Sequence, residues 1–220
     1  DRVVPMATSR NHKRIGEGGT GPNTGGMGAV TPAPGHDSGL EDEVMETVIE
    51  PALAELERRG IDYRGFLYAG LMLTSDGPKV LEFNCRMGDP EAQALLFGTD
   101  EPIGPILRRA AEGRLDASDH LRSSTCACCV VLASGGYPSP ERDTGHVIQG
   151  LAAAATVEDA KVFHAGTALN DEGEFLNDGG RVLGVTARGD SVTAARHRAY
   201  DAVQAIKWAG MQYRRDIGQE

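Results

Sequence analysis

Two largely apolar segments, Arg64 to Thr74 and Lys79 to Asn84, flank the short run Ser75-Asp76-Gly77. A connection this short turns the chain straight back on itself, so the pair predicts an antiparallel hairpin. The stretch from Pro78 continues as Lys79-Val80-Leu81-Glu82-Phe83-Asn84-Cys85-Arg86-Met87-Gly88-Asp89-Pro90-Glu91. Successive side chains of an extended chain alternate faces, which places Glu82 and Asn84 on one flank, about 6.6 Å apart along the strand, and turns Phe83 toward a core. A carboxylate beside an amide oxygen suits a hard cation such as magnesium, which keeps positions for water and phosphate oxygens. Glu-Phe-Asn also occurs in ordinary edge strands, so its neighbours must decide.

Upstream lies Thr20-Gly21-Pro22-Asn23-Thr24-Gly25-Gly26-Met27-Gly28, preceded by His12-Lys13-Arg14. Glycines at 21, 25, 26 and 28 permit close backbone approach and leave amide hydrogens free to face an anion. No Gly-Lys-Ser/Thr follows, so this is not a Walker loop. Lys13 and Arg14 place positive charge beside the run. Taken alone, they are equally consistent with a solvated charge cluster, and Arg86 with Asp89 could simply pair at the turn before Pro90.

The formal charge of −10 over 220 residues argues against general attraction to nucleic acid or an anionic membrane surface. No run approaches the roughly 18 apolar residues of a membrane span. Cys126 and Cys129 have zinc-like spacing, but no second Cys or His pair follows at knuckle spacing. The reading is therefore buried strand thiols in a reducing, cytoplasmic compartment. The chain opens on Asp1-Arg2-Val3-Val4-Pro5-Met6, with no signal peptide pattern and no initiator Met, which reads as a fragment beginning inside a strand.

Along the chain, a strand is expected over Val3 to Ala7, then a long polar loop over residues 8 to 37. Ser38 and Glu41 form a capping box for a helix whose apolar face is Leu40, Val44, Met45, Val48, Ile49, Ala52, Leu53 and Leu56. Pro51 should kink or split it. Residues 89 to 114 hold two helices, with Leu95, Leu96, Ile103, Ile106 and Leu107 as core candidates. Beyond residue 119, short strands are expected at 126 to 134, 146 to 150, 161 to 165 and 181 to 188, then a helix from Ser191 to Ala209 stopped by Gly210. The fold class is α+β. A helix-and-antiparallel-sheet domain is expected over 1–118, holding the candidate metal and phosphate residues, and a small β-rich domain with a terminal helix over 119–220.

These motifs, with Tyr68-Ala69-Gly70-Leu71-Met72, Gly135-Gly136-Tyr137-Pro138, Lys161-Val162-Phe163-His164-Ala165-Gly166-Thr167 and Gly179-Gly180-Arg181-Val182-Leu183, resemble the glycinamide ribonucleotide synthetase (phosphoribosylamine-glycine ligase) family of ATP-grasp enzymes. The resemblance runs the length of the chain but matches only the carboxy-terminal half of such a protein, with the amino-terminal half missing. It implies an ATP-grasp carboxy-terminal subdomain and a ligase of purine biosynthesis that joins glycine to 5-phosphoribosylamine through glycyl phosphate. By that resemblance Glu82 and Asn84 hold magnesium or manganese against ATP. Arg86, Asp89 and Lys13 serve catalysis, while Arg14, Asn23, Gly25, Gly26 and Gly88 bind substrate or phosphate. His164 and Tyr137 are read as packing residues. A truncated, non-catalytic module that pairs with a separate amino-terminal half is the alternative.

The chain departs from the family pattern at Asn11, where Asp is usual, at Glu17 and Gly19, where a second acidic residue is expected, and at Ala92, where Thr is usual.

Overall fold

A computed structural model of the chain describes residues 3–35, 38–116, 119, 121 and 124–219. In chain order its elements are β1 Arg10–Asn11, β2 Arg14–Gly16, β3 Thr20–Asn23, β4 Gly28–Thr31, α1 Ser38–Val44, α2 Glu50–Arg58, β5 Tyr68–Thr74, β6 Gly77–Asn84, α3 Glu91–Phe97 and α4 Ile103–Ala111. There follow β7 Cys126–Ala133, α5 Leu151–Ala154, β8 Ala160–His164, β9 Thr167–Leu169, β10 Phe175–Asn177, β11 Arg181–Gly189 and α6 Val192–Ala205.

The chain forms two compact units. One comprises Asp1–Met6, Gly35–Gly88 and Glu101–Leu121; the other comprises Ala7–Pro34, Asp89–Asp100 and Arg122–Glu220. Residues 7–34 and 89–100 thus pack with the carboxy-terminal part, whereas the division expected from sequence was a single cut at 118/119.

In the first unit Pro51 acts as its chemistry requires. It has no N–H to donate and its ring crowds the preceding turn, and α1 and α2 are separated by a π-helical turn over Met45–Ile49, with Pro51 in the first turn of α2. Ile49 is the buried residue of that turn. The capping pair at Ser38 and Glu41 involves a side chain outside those described. β5 and β6 form the expected hairpin, although β5 begins at Tyr68 rather than Arg64. Among the described residues no third strand joins this ribbon. Phe83, expected in a core, is therefore 46% exposed, and Met72, Leu73, Val80 and Leu81 are exposed with it. Of the core candidates on α3 and α4, Ile106 is buried but Leu96 and Leu107 are exposed.

The second unit is built on an antiparallel sheet of order β1-β4-β7-β11-β8. β7 is continuously apolar because both its faces are covered. Cys128, Val130 and Leu132 point toward α6, packing with Ala195, Ala199, Ala202 and Val203, while Ala127 and Cys129 meet Ala94 of α3 and Ala29 of β4. Alanines on α6 let the helix lie close to the strands. Ser191 caps it, its Oγ accepting from the Ala194 amide at 3.1 Å.

Several expectations are corrected here. Val3 to Ala7 forms no strand, only an isolated bridge from Met6 to Leu121. The presumed loop over 8–37 contains four strands, and β4 is wholly buried because it pairs with β7 inside the sheet. Residues 146 to 150 make only single bridges, from Val147 to Leu176 and from Gln149 to Lys207. That second bridge also ends α6 at Ala205, four residues short of the expected stop, since Lys207 exchanges backbone hydrogen bonds with Gln149 and cannot remain helical.

All four cysteines are free, and among the described residues no group of three or more His, Cys, Asp or Glu side chains gathers to hold a metal. Burial pushes the Cys129 thiol up to about 12 and the Cys128 thiol above the ordinary range. We predict that a thiol reagent at neutral pH labels exposed Cys85 at once and half-buried Cys126 slowly, while Cys128 and Cys129 react only in denaturant. Rapid labelling of all four in the folded chain would contradict this packing.

Candidate functional site

In the first unit the hairpin register runs Tyr68 to Asn84, Ala69 to Phe83 and Gly70 to Glu82, with an irregularity only beyond Gly70, where Leu71 pairs with Val80. Pairing is continuous from 82 to 84, so Glu82 and Asn84 share one flank with Tyr68 and Gly70. Gly70 gives the carboxylate side chain its room. A Cβ on Gly70 would lie 3.0 Å from the Glu82 Cγ and 3.3 Å from the Tyr68 ring. Glu82 is exposed and Asn84 half-buried at the strand end. Two oxygen donors, one anionic, make a partial shell of the type a magnesium ion completes with waters and phosphate oxygens. The donor set fits that ion.

Arg86 follows, exposed, its Nη1 donating to the Met87 carbonyl at 2.9 Å. The guanidinium is held along its own backbone, and Gly88 ends this segment of the unit. Tyr63 packs against the same segment. Its hydroxyl donates to the Phe66 carbonyl at 2.5 Å, and burial, then hydrogen bonding with Cys85, pushes its phenol up to about 12.

The second unit holds Lys13, Arg14, Asn23, Gly25, Gly26 and Asp89. Arg14 lies opposite Asn23 in the β2–β3 ladder and donates through Nη1 to the Gly21 carbonyl at 2.8 Å. Asn23 is exposed. The Lys13 carbonyl accepts from both the amide and the hydroxyl of Thr24, at 2.7 and 2.8 Å. The amides of the glycine pair are not free as the sequence suggested. Gly25 N–H donates to the Tyr137 hydroxyl at 3.0 Å and Gly26 N–H to Thr24 Oγ1 at 2.9 Å. Tyr137, read from sequence as packing, therefore shapes the loop directly.

Arg181 at the start of β11 was also missed as a site residue. Its Nη1 donates to the Asp89 carbonyl at 2.8 Å, to Asp89 Oδ1 at 3.1 Å and to the Gly25 carbonyl at 3.1 Å. Gln93 Nε2 donates to the same Asp89 oxygen at 3.2 Å. The signal available in sequence was Gly179-Gly180-Arg181, but nothing local says that this arginine folds back onto residues more than ninety positions away. Asn11 donates through Nδ2 to Oε1 of buried Glu91 at 2.8 Å, a contact in which the amide supplies a donor that an ionised carboxylate lacks. Glu17 accepts from the Arg215 amide at 3.3 Å. His164 stacks on Phe175 with ring centroids 4.4 Å apart, which agrees with a packing role.

His12 is half-buried, and its Nε2 is shielded from water with no hydrogen-bond partner among the described residues. Burial first, then the charge of Arg214, pushes its pKa down to about 4. In an unfolded chain the ring takes up its proton near pH 6.5. Between those values the unfolded state binds more protons, so stability should fall as pH drops from about 6.5 to about 4. Asp216 acts in a different window. Hydrogen bonding from Arg214 holds its carboxyl at about 2, so the stability it adds is lost only as pH falls below about 4. We predict that His12→Gln removes on the order of 2–3 kcal/mol of the stability change between neutral pH and about pH 4, read by urea unfolding. An unchanged pH slope would contradict a neutral buried imidazole.

Comparison with known proteins bears on both units. Residues 1–92 match the phosphoribosylglycinamide synthetase ATP-grasp (A) domain, and residues 127–220 match the phosphoribosylglycinamide synthetase C domain. The phosphoribosylamine-glycine ligase of Yersinia pestis is 47% identical over 219 residues, covering 99% of this chain and 51% of that protein. The one from Synechocystis is 50% identical over 218 residues, covering 98% and 51%. Among solved structures, phosphoribosylamine-glycine ligase from Thermotoga maritima superimposes with a TM-score of 0.84 at 34% identity, over 97% of this chain and 52% of that one. N5-carboxyaminoimidazole ribonucleotide synthetase from Thermus thermophilus shares the fold, with a TM-score of 0.56 at 19% identity over 86% of this chain. The chain spans about half the length of the curated relatives it matches. With both of its domain types matched in order and near half of all positions identical, this chain belongs to the phosphoribosylglycinamide synthetase family.

Proposed function

We propose that this chain supplies the metal- and phosphate-binding part of an ATP-dependent ligase that joins glycine to 5-phosphoribosylamine. In the proposed reaction a glycine carboxylate oxygen attacks the γ-phosphorus of ATP, and ADP leaves. The amine nitrogen of phosphoribosylamine then attacks the acyl carbon of glycyl phosphate and loses a proton. Phosphate departs with the bonding electron pair, leaving glycinamide ribonucleotide. Such transfers depend on positioning and charge neutralisation rather than on a protein nucleophile.

The observation that carries the reading is the pair of oxygen donors, Glu82 and Asn84, on one exposed flank of β6 in a chain of this family. Magnesium, or manganese, bound there would offset the charge of the nucleotide phosphates. Arg86 offers a planar fork for phosphoryl or carboxylate oxygens. Lys13, Arg14 and Asn23 would meet substrate anions through their side chains, and the segment from Gly25 to Gly26, its amides already engaged by Tyr137 and Thr24, would shape the loop around the bound group. Four free thiols suit a reducing, cytoplasmic setting.

A second reading, a module inactive until joined by an amino-terminal half, is favoured by the exposed apolar residues of the β5–β6 ribbon and by the half-length match. One experiment addresses both. The chain alone should release little or no ADP, whereas the chain mixed with the amino-terminal half of a relative should release ADP only when glycine and phosphoribosylamine are both present. ATP turnover in the mixture that ignores those substrates would overturn the ligase reading.

A further inference from the structure

We propose that Arg181 is an oxyanion-binding residue whose Nε–Nη2 edge receives a carboxylate or phosphate group. Its contacts are one-sided. Nη1 serves the Gly25 carbonyl and the backbone carbonyl and Oδ1 of Asp89, and lies 3.5 Å from the Gly26 carbonyl, so its two hydrogens are fully used. Among the described residues Nε and Nη2 donate to nothing.

These two nitrogens form the edge of a guanidinium that matches two oxygens of a carboxylate or phosphate at once. Gly25 leaves that edge open. A Cβ at position 25 would lie 2.9 Å from Cζ, 3.0 Å from Nη2 and 3.1 Å from Nε. Because Cζ is the nearest atom, the loop backbone covers the face of the guanidinium rather than its edge. Any side chain at 25 would displace the group. The side chain is 23% exposed, so the guanidinium is not sealed from solvent while Nη1 is held. A fork already fixed by three oxygen acceptors loses little further freedom when an anion arrives.

Charge is compatible with this role. Asp89 offsets the positive charge on the Nη1 side only, and Arg142 brings a second guanidinium to within 3.3 Å of where a Cβ on adjacent Gly180 would sit.

The assignment of the anion rests on the ligase reading, in which one substrate carries a carboxylate and the other a phosphate. The test is independent of turnover. In the 220-residue chain, the Arg181 Nε–H resonance is followed by NMR while inorganic phosphate, and separately glycine, is added without nucleotide. A saturable shift with phosphate supports the proposal with a phosphate as occupant, and a shift with glycine supports it with a carboxylate. Arg181→Lys, which keeps the charge but loses the fork, should weaken that binding about tenfold, followed through the Gly25 and Gly26 amides. An Nε–H that moves with neither anion, or a lysine variant that binds as well as the parent, overturns it. Glycine-dependent ADP release alongside a silent Nε–H would remove this role alone, and a shifted Nε–H without such release would remove the ligase reading alone.

Discussion

Glu82→Ala is expected to lower glycine-dependent ADP release by about two to three orders of magnitude in the chain paired with an amino-terminal half. Electrostatic neutralisation of phosphate oxygens by a bound metal is worth several kcal/mol in the transition state, and each 1.36 kcal/mol is a factor of ten in rate. Glu82 is the anionic member of the pair, so its loss removes more than Asn84→Ala, which deletes a neutral oxygen donor. Glu82→Gln keeps an oxygen and should fall between the two. Raising the magnesium concentration should recover part of the Glu82→Gln loss and little of the alanine loss. Because Glu82 is exposed on a two-stranded ribbon, the substitution should shift unfolding by no more than about 0.5 kcal/mol, which separates a site effect from a folding effect. Near-normal turnover in Glu82→Ala would remove the metal assignment.

The largest expected effect on stability is at Gly150. This residue precedes α5 with φ of 87°, and a Cβ there would fall 1.8 Å from the Ala205 carbonyl oxygen, at the end of α6. Two penalties coincide. A left-handed conformation costs an L-residue roughly 1–2 kcal/mol by itself. The contact then forces apart the two bridged segments at Gln149 and Lys207, against the buried end of the core at Ile206. Gly150→Ala should cost about 4 kcal/mol or more, at the upper end of single substitutions. Gly173 supplies the control. Its φ of 78° is equally left-handed, yet nothing lies within 4 Å of a Cβ at that position, so Gly173→Ala should cost only about 1–2 kcal/mol. Chemical unfolding of both variants measures the difference, and equal losses would show that torsion alone sets the cost.

What could be read from sequence follows physical range. The hairpin, the break at Pro51, the start of the last helix at Ser191 and the alternation that sets Glu82 beside Asn84 all depend on residues within a few positions of one another. Their periodicity or chemistry is printed locally. The assembly of the second unit is not. β4 joins β7 across about a hundred residues and carries β1 on its other edge, and Gly28 to Thr31 read as part of a polar loop because their apolar character is too short to stand out from the glycines around it. Phe83 was placed in a core because alternation says which side chains share a face but not whether anything covers that face. The glycine pair was read as an open amide cradle because nothing near it reveals that Tyr137 and Thr24 take those amides. Arg181 was overlooked for the same reason.

The most direct measurement of the central claim is paramagnetic broadening by Mn2+ in the presence of ATP, followed at the side chains of Glu82 and Asn84. Both resonances, with Phe83 between them, should broaden at the lowest manganese concentrations and recover on adding excess magnesium, and Glu82→Ala should abolish the effect at Asn84. Broadening that begins elsewhere and leaves these two side chains sharp would contradict it.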